Sequence, residues 1–75
     1  MISLLDINEK QDVRIEEIVG SEDQQERLSE IGFIPGSLTS LIAKLPFNGP
    51  LACKIRGTKF ALRREDAKCI LVSAA

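Results

Sequence analysis

The side chains that could do chemistry in this chain are few. Glu22, Asp23, Glu26 and Glu30 fall at helical spacing and could offer oxygen ligands to a hard cation. Cys53 and Cys69 could meet as a thiolate pair if the strands around them approach. Arg56, Arg63 and Arg64 could lend a guanidinium to a phosphoryl group in transit. Each set also has a plainer reading. Acidic residues opening a helix are favoured by its dipole, at about 0.3–1 kcal/mol each, and otherwise make a solvated face. Two thiolates with no imidazole beside them are an incomplete metal site, because the chain has no His at all. The arginines read as a basic strand face, since nothing places one of them on a mobile tip. Gly32, Gly36 and Gly57 lack the spacing of a phosphate cradle, and turn roles suffice for them. The plainer readings are adopted here. They imply no enzyme, no cofactor and no metal site.

Composition narrows the rest. With 75 residues the chain is a single domain, residues 1–75, able to bury only about 60% of its unfolded surface. Hydrophobic residues make up 44% and charged residues 28%, with a mean hydropathy of +0.03, which is globular. No apolar run approaches the roughly 18 residues of a spanning helix, and the start at Met1 lacks the basic and apolar regions of a signal peptide. A cytoplasmic location follows, and there two free, strand-buried thiols are expected in place of a disulfide. A net charge of −1 and a pI of about 5.3 argue against nucleic acid as a partner. That net value hides an asymmetry. Residues 1 to 43 hold three basic and nine acidic side chains, a net of −6, and residues 44 to 75 hold seven basic and two acidic, a net of +5.

These charges need elements to carry them. Residues 1–10 read as a lead-in with one helical turn, in which Leu4, Leu5 and Ile7 can cover the core. A first strand runs from Asp12 to Val19, where Ile18 breaks the alternation and signals a β-bulge. Ser21 and Gln24 make a capping box, and Gly32 ends the helix after Ile31 in a Schellman motif, with Phe33 meeting Leu28. A turn at Ile34-Pro35-Gly36 leads to a strand over Ser37–Leu45. The loop Pro46-Phe47-Asn48-Gly49-Pro50 follows, then strands over Leu51–Arg56 and Lys59–Arg63 joined at Gly57-Thr58. One helical turn at Arg64–Ala67 and a strand over Cys69–Val72 close the chain. Such a run is mainly β, a small SH3-like five-stranded barrel with one helix between strands 1 and 2. The helix comes too early for an OB-fold. The expected core is Val13, Ile15, Leu28, Ile31, Leu41, Leu51, Ile55, Phe60, Leu62, Ile70 and Val72.

In this order the residues resemble a known family. Arg27-Leu28-Ser29-Glu30-Ile31-Gly32-Phe33-Ile34-Pro35-Gly36 is similar to the Arg-Leu-x-Glu-(Leu/Met)-Gly-(Leu/Phe)-x-Pro-Gly signature of the FeoA family of ferrous-iron transport accessory proteins. Pro46–Pro50 looks like the family's Pro-x-Gly-Asp-Pro loop. Ile55-Arg56-Gly57 with Phe60–Ala67 resembles its Val-Arg-Gly and Ala-Leu-Arg-Arg stretch, and Ile70-Leu71-Val72 its terminal strand. The resemblance runs from about Asp12 to Val72. It departs at Glu9-Lys10-Gln11, where the family carries a Gly, and at Asn48-Gly49, which replaces Gly-Asp. It implies an interaction module in the bacterial cytosol that acts on FeoB, the membrane ferrous-iron transporter with a cytosolic G domain. Contact with the membrane would be peripheral, through that partner. The alternatives are a ferrous-iron-binding sensor or carrier, and an adaptor related to the SH3-like domain of metal-dependent repressors.

For docking on such a partner, the basic β half offers the expected surface. Lys54 and Arg56 on one strand, and Lys59 and Arg63 on the next, project from the face opposite Cys53, Ile55, Phe60 and Leu62. Ala52 and Ala61 give that face a small apolar floor. Phe47, between two prolines, is its expected apolar anchor.

Overall fold

Alternating apolar residues turn one face of each strand inward, and in a computed structural model of residues 1–75 the strands join as one antiparallel sheet. The strands are β1 (Ile2–Ser3), β2 (Gln11–Ile18), β3 (Leu38–Lys44), β4 (Leu51–Ile55), β5 (Thr58–Leu62) and β6 (Ile70–Ala74). Their order across the sheet is β1-β6-β2-β3-β4-β5. A 3-10 turn spans Leu4–Asp6, and the helices are α1 (Glu22–Ile31) and α2 (Arg64–Ala67). The two-residue β1, pairing Ile2 with Val72, is the one strand the alternation could not announce, being too short to show a period. With it counted the sheet has six strands and α1 follows the second. Among the five long strands the helix still falls between the first and second, as expected.

Local signals at α1 act as read. The Ser21 hydroxyl accepts from Gln24 N at 3.1 Å, and the Gln24 side chain accepts from Ser21 N at 3.0 Å. At the other end Gly32 sits at φ 125°. Phe33 N donates to Leu28 O at 2.9 Å and Gly32 N to Ser29 O at 3.1 Å, the paired bonds of a Schellman closure. Gly20, at φ 103°, is required for a second reason: a Cβ there would lie 2.8 Å from Cys69 Sγ. The β-bulge is present in β2, between Ile15 and Glu17. Beyond it β2 keeps β6 as a neighbour but loses β3, which pairs with it only over Gln11–Arg14. That half-uncovered end of β2 faces α1 across an open hollow.

Fifteen apolar side chains form the single core. Nine of the eleven expected members are in it. Ile31 and Phe60 are only half-buried against it, because Ile31 ends the helix and Phe60 lies on the edge strand β5. Leu4 and Ile7 from the lead-in, Phe33 from the Schellman contact, and Cys53, Ala67 and Cys69 complete it. Cys69 is buried just before β6, not within it. Thr39 is buried as well, its hydroxyl donating to Lys54 O at 2.9 Å. Leu45, grouped by alternation with Thr39 and Leu41, is exposed, because the β3–β4 register shifts between Leu41 and Ala43. Leu62, opposite Leu51 in the ladder, tests how tight this core is. Leu62→Ala should lower unfolding free energy by about 2–5 kcal/mol in urea titration; a loss under about 1 kcal/mol would mean that the site collapses around the missing atoms.

Candidate functional site

The β4–β5 hairpin builds the cationic face. Lys54 stands directly opposite Lys59, and Ala52 opposite Ala61, while Leu51, Cys53 and Ile55 turn inward. Both lysines are exposed. Like charges held across a ladder repel, so this pair works against the hairpin that carries it.

The other two cations lie off that face. Ile55 pairs with Thr58, so the turn is Arg56-Gly57, not Gly57-Thr58, and both of its residues have positive φ, 51° and 78°. That is a type I′ turn. Arg56 therefore sits on a hairpin tip instead of in line with Lys54. A Cβ on Gly32 would touch its Cδ and Nε at 3.6–3.7 Å along with Ile55, so the side chain lies by the C-terminus of α1, where the helix dipole favours a cation. Arg63 lies just beyond β5 and precedes α2. Its Nε is 3.3 Å from Asp66 Oδ2 and 3.6 Å from Glu65 Oε1. The Asp66 carboxylate, 6% exposed, also receives Arg27 Nη2 at 2.8 Å, so Arg63 belongs to an ion cluster that joins α1 to α2. Nothing in the alternation marked Asp66 as buried. Its cue was only an acidic residue three positions after Arg63.

Phe47 is at the opposite end of β4 from Arg56. The β3–β4 hairpin closes with Gly49 N donating to Pro46 O at 3.1 Å, so its central residues are Phe47 and Asn48, at φ 59° and 57°. Phe47 is 99% exposed, and Leu45 on the same hairpin is 43% exposed. Arg63, Arg64 and Glu65 border a shallow hollow with Asn48, Gly49 and Pro50, at the base of the hairpin whose tip carries Phe47. The five expected docking residues thus divide into three places: Lys54 and Lys59 in the middle of the face, Arg56 at one end, Phe47 and Arg63 at the other.

The remaining candidates are scattered. Glu22, Asp23, Glu26 and Glu30 are all exposed on α1, and no group of three or more Cys, Asp or Glu side chains is arranged to hold a metal ion. Cys53 and Cys69 are free and buried. Cys69 Sγ donates to Glu65 O at 3.4 Å, and burial pushes the Cys53 thiol up to about 11. Such a thiol is a poor nucleophile at neutral pH.

An antiparallel barrel of five long strands with one principal helix is an SH3-like domain. The family model of the FeoA domain matches residues 2–74, and the chain belongs to the FeoA family, whose proteins act in ferrous-iron transport. The iron(II) transport protein A of Clostridium thermocellum is similar at TM-score 0.92 and 27% identity, over 99% of this chain and 46% of that one, so the present chain spans about half its length. The FeoA of Stenotrophomonas maltophilia, solved with zinc and described as a prokaryotic SH3-domain protein, is similar at TM-score 0.83 and 28% identity, over 97% of this chain and 91% of that one. A manganese-dependent transcriptional repressor shares the fold at TM-score 0.88 and 18% identity, over 97% of this chain and 41% of the repressor, a likeness of fold alone. The curated proteins contain no match to the sequence.

Two outcomes follow from this geometry. Lys59→Glu should raise stability by about 0.2–1 kcal/mol by placing opposite charges across the ladder, while Arg63→Glu should lower it by about 1–2 kcal/mol beside Asp66, both read by urea titration. In the folded protein Cys53 holds its proton to about pH 11, against 9.0 when exposed, so between those values only the unfolded chain releases it. Stability is complete below pH 9 and should fall by about 2 kcal/mol as pH rises to 11, a decline that Cys53→Val should flatten in matched melts.

Proposed function

We propose that this protein is a cytoplasmic accessory module of bacterial ferrous-iron uptake that docks on the FeoB-type transporter, the membrane protein with a cytosolic G domain. Membership of the FeoA family supports the pathway. The observation that carries the docking surface is the Lys54–Lys59 pair, two like charges opposed on an exposed strand pair over an alanine floor. A ladder position built for stability alone would carry opposite charges there. An acidic surface on the partner would relieve the repulsion on binding and steer the encounter. Phe47, exposed at a turn that its own side chain strains, is the apolar anchor at the end of that face. Arg56 and Arg63 border the surface as secondary cations, since each is already engaged within the fold.

The role is binding, not chemistry. The chain has no imidazole, and burial keeps the Cys53 thiol protonated, which removes two groups common in general-base and nucleophilic work. For the same reasons we take it to carry no iron of its own. A detergent-solubilised FeoB-type transporter should retain the wild-type protein at low salt. Lys54→Glu/Lys59→Glu should slow association at least about tenfold and blunt its salt dependence, with the melting temperature no lower than wild type. Full retention of that double variant would move the docking face elsewhere. Iron co-eluting with the isolated protein at one equivalent would replace this reading with that of a carrier.

A further inference from the structure

On the far side of the molecule, the end of β2 left uncovered by β3 forms the wall of an open trough of about 420 Å³ against α1. Its apolar lining comes from the half-buried Ile18 and Ile34 above the buried Phe33, and its rim is acidic, with Glu17 and Glu26 exposed on either side. The trough asks for an apolar side chain carried among cations. This chain displays one. Phe47 stands almost wholly free on a tight hairpin tip, and Arg63 and Arg64, with Glu65, border the next residues of that hairpin, Asn48 to Pro50. The first 43 residues, which build the trough, sum to −6, and the last 32, which supply Phe47 and those arginines, sum to +5.

We propose that the protein associates with itself head to tail, the Phe47 hairpin of one copy seated in the α1–β2 trough of the next. The knob cannot reach its own trough. Leu38, at the start of β3, pairs with Arg14 next to the trough, and Phe47 lies three residues past Lys44 at the other end of that strand, so the two are separated by the length of β3, about 20 Å. The contact is heterologous: each copy keeps one free knob or one free trough, and the assembly grows beyond a dimer unless the rotation closes a ring. The attraction is electrostatic around a single aromatic anchor, so association is weak and sensitive to salt. The seated hairpin is the one that carries the transporter anchor, so self-association would withdraw Phe47 until a partner competes for it. The contact does not depend on that partner, and its test contains none.

Sedimentation velocity on the purified chain decides the matter. In 50 mM salt the wild-type sedimentation coefficient should rise with concentration past the dimer, and 0.5 M salt should weaken association at least about tenfold. Phe47→Ser and, separately, Glu17→Lys/Glu26→Lys should each remain monomeric. All three positions are exposed, so both variants should keep the wild-type circular dichroism spectrum. Mixed together they should restore one heterodimer and nothing larger, because Phe47→Ser retains a trough and the double variant retains a knob. A wild-type protein that stays monomeric to millimolar concentration overturns the proposal. So does a Phe47→Ser protein that associates like wild type, or a mixture that fails to pair.

Discussion

One buried carboxylate, Asp66, ties the helix α1 to the α2 turn that follows the sheet's edge strand. Along its ten residues α1 fully buries a single side chain, Leu28. Burying one leucine is worth about 1.5–3 kcal/mol, little to dock a ten-residue helix whose backbone must also be ordered. The chain adds two attachments. The Schellman turn at Gly32 drives Phe33 into the core immediately after the helix, and Arg27 reaches Asp66 in the first turn-and-a-half of chain beyond β5. Asp66 takes Arg63 on its other oxygen, so removing it would loosen both helices at once. Arg63 is thereby withdrawn from the outer face of β5, and the proposed docking surface is narrower than alternation suggests.

How much of this could be read beforehand depends on the range of the interaction responsible. The capping box, the Schellman closure, the bulge in β2 and the inward rows of β4 all depend on neighbours within a few residues, so they are legible in the chain. The failures share a cause. Arg56 continues the period of Lys54, and Phe47 precedes an Asn-Gly pair that looks like the turn itself. In both hairpins the register is set across the ladder, by Ile55 with Thr58 and by Leu45 N on Pro50 O, which moves the turn one residue earlier than its glycine implies. Similarly, Asp66 is buried by Arg27, 39 residues away, and no local pattern encodes that pairing. The FeoA resemblance gave the family without depending on any of these details. It could not say which cations are free.

The two displaced turns also show where the fold tolerates strain. A side chain in the left-handed region costs about 1–2 kcal/mol against glycine, and both hairpin tips place a large residue there. For Arg56 the fold returns something, a contact beside Gly32 at the helix C-terminus. For Phe47 it returns nothing, since the ring touches neither core nor cap and meets solvent over 99% of its surface. Glycine at that position would relax the backbone and remove an exposed aromatic. Folding therefore does not account for Phe47, and the docking role proposed for it would.

The charge asymmetry divides the molecule the same way. Most of the acidic side chains are on β2 and α1, around the trough between the end of β2 and α1. The basic ones are on β4, β5 and the α2 turn, around two tips that project because their turns are only two residues long. Bulge and turns are backbone features, so substitution of the surface charges should leave their geometry in place. Each face can accordingly be reversed in sign without unfolding the other, except at Arg63 and Arg27, where surface charge and internal clamp are the same atoms. In the docking proposed for this domain, rigid backbone devices would set the geometry and a handful of exposed side chains would supply the chemistry.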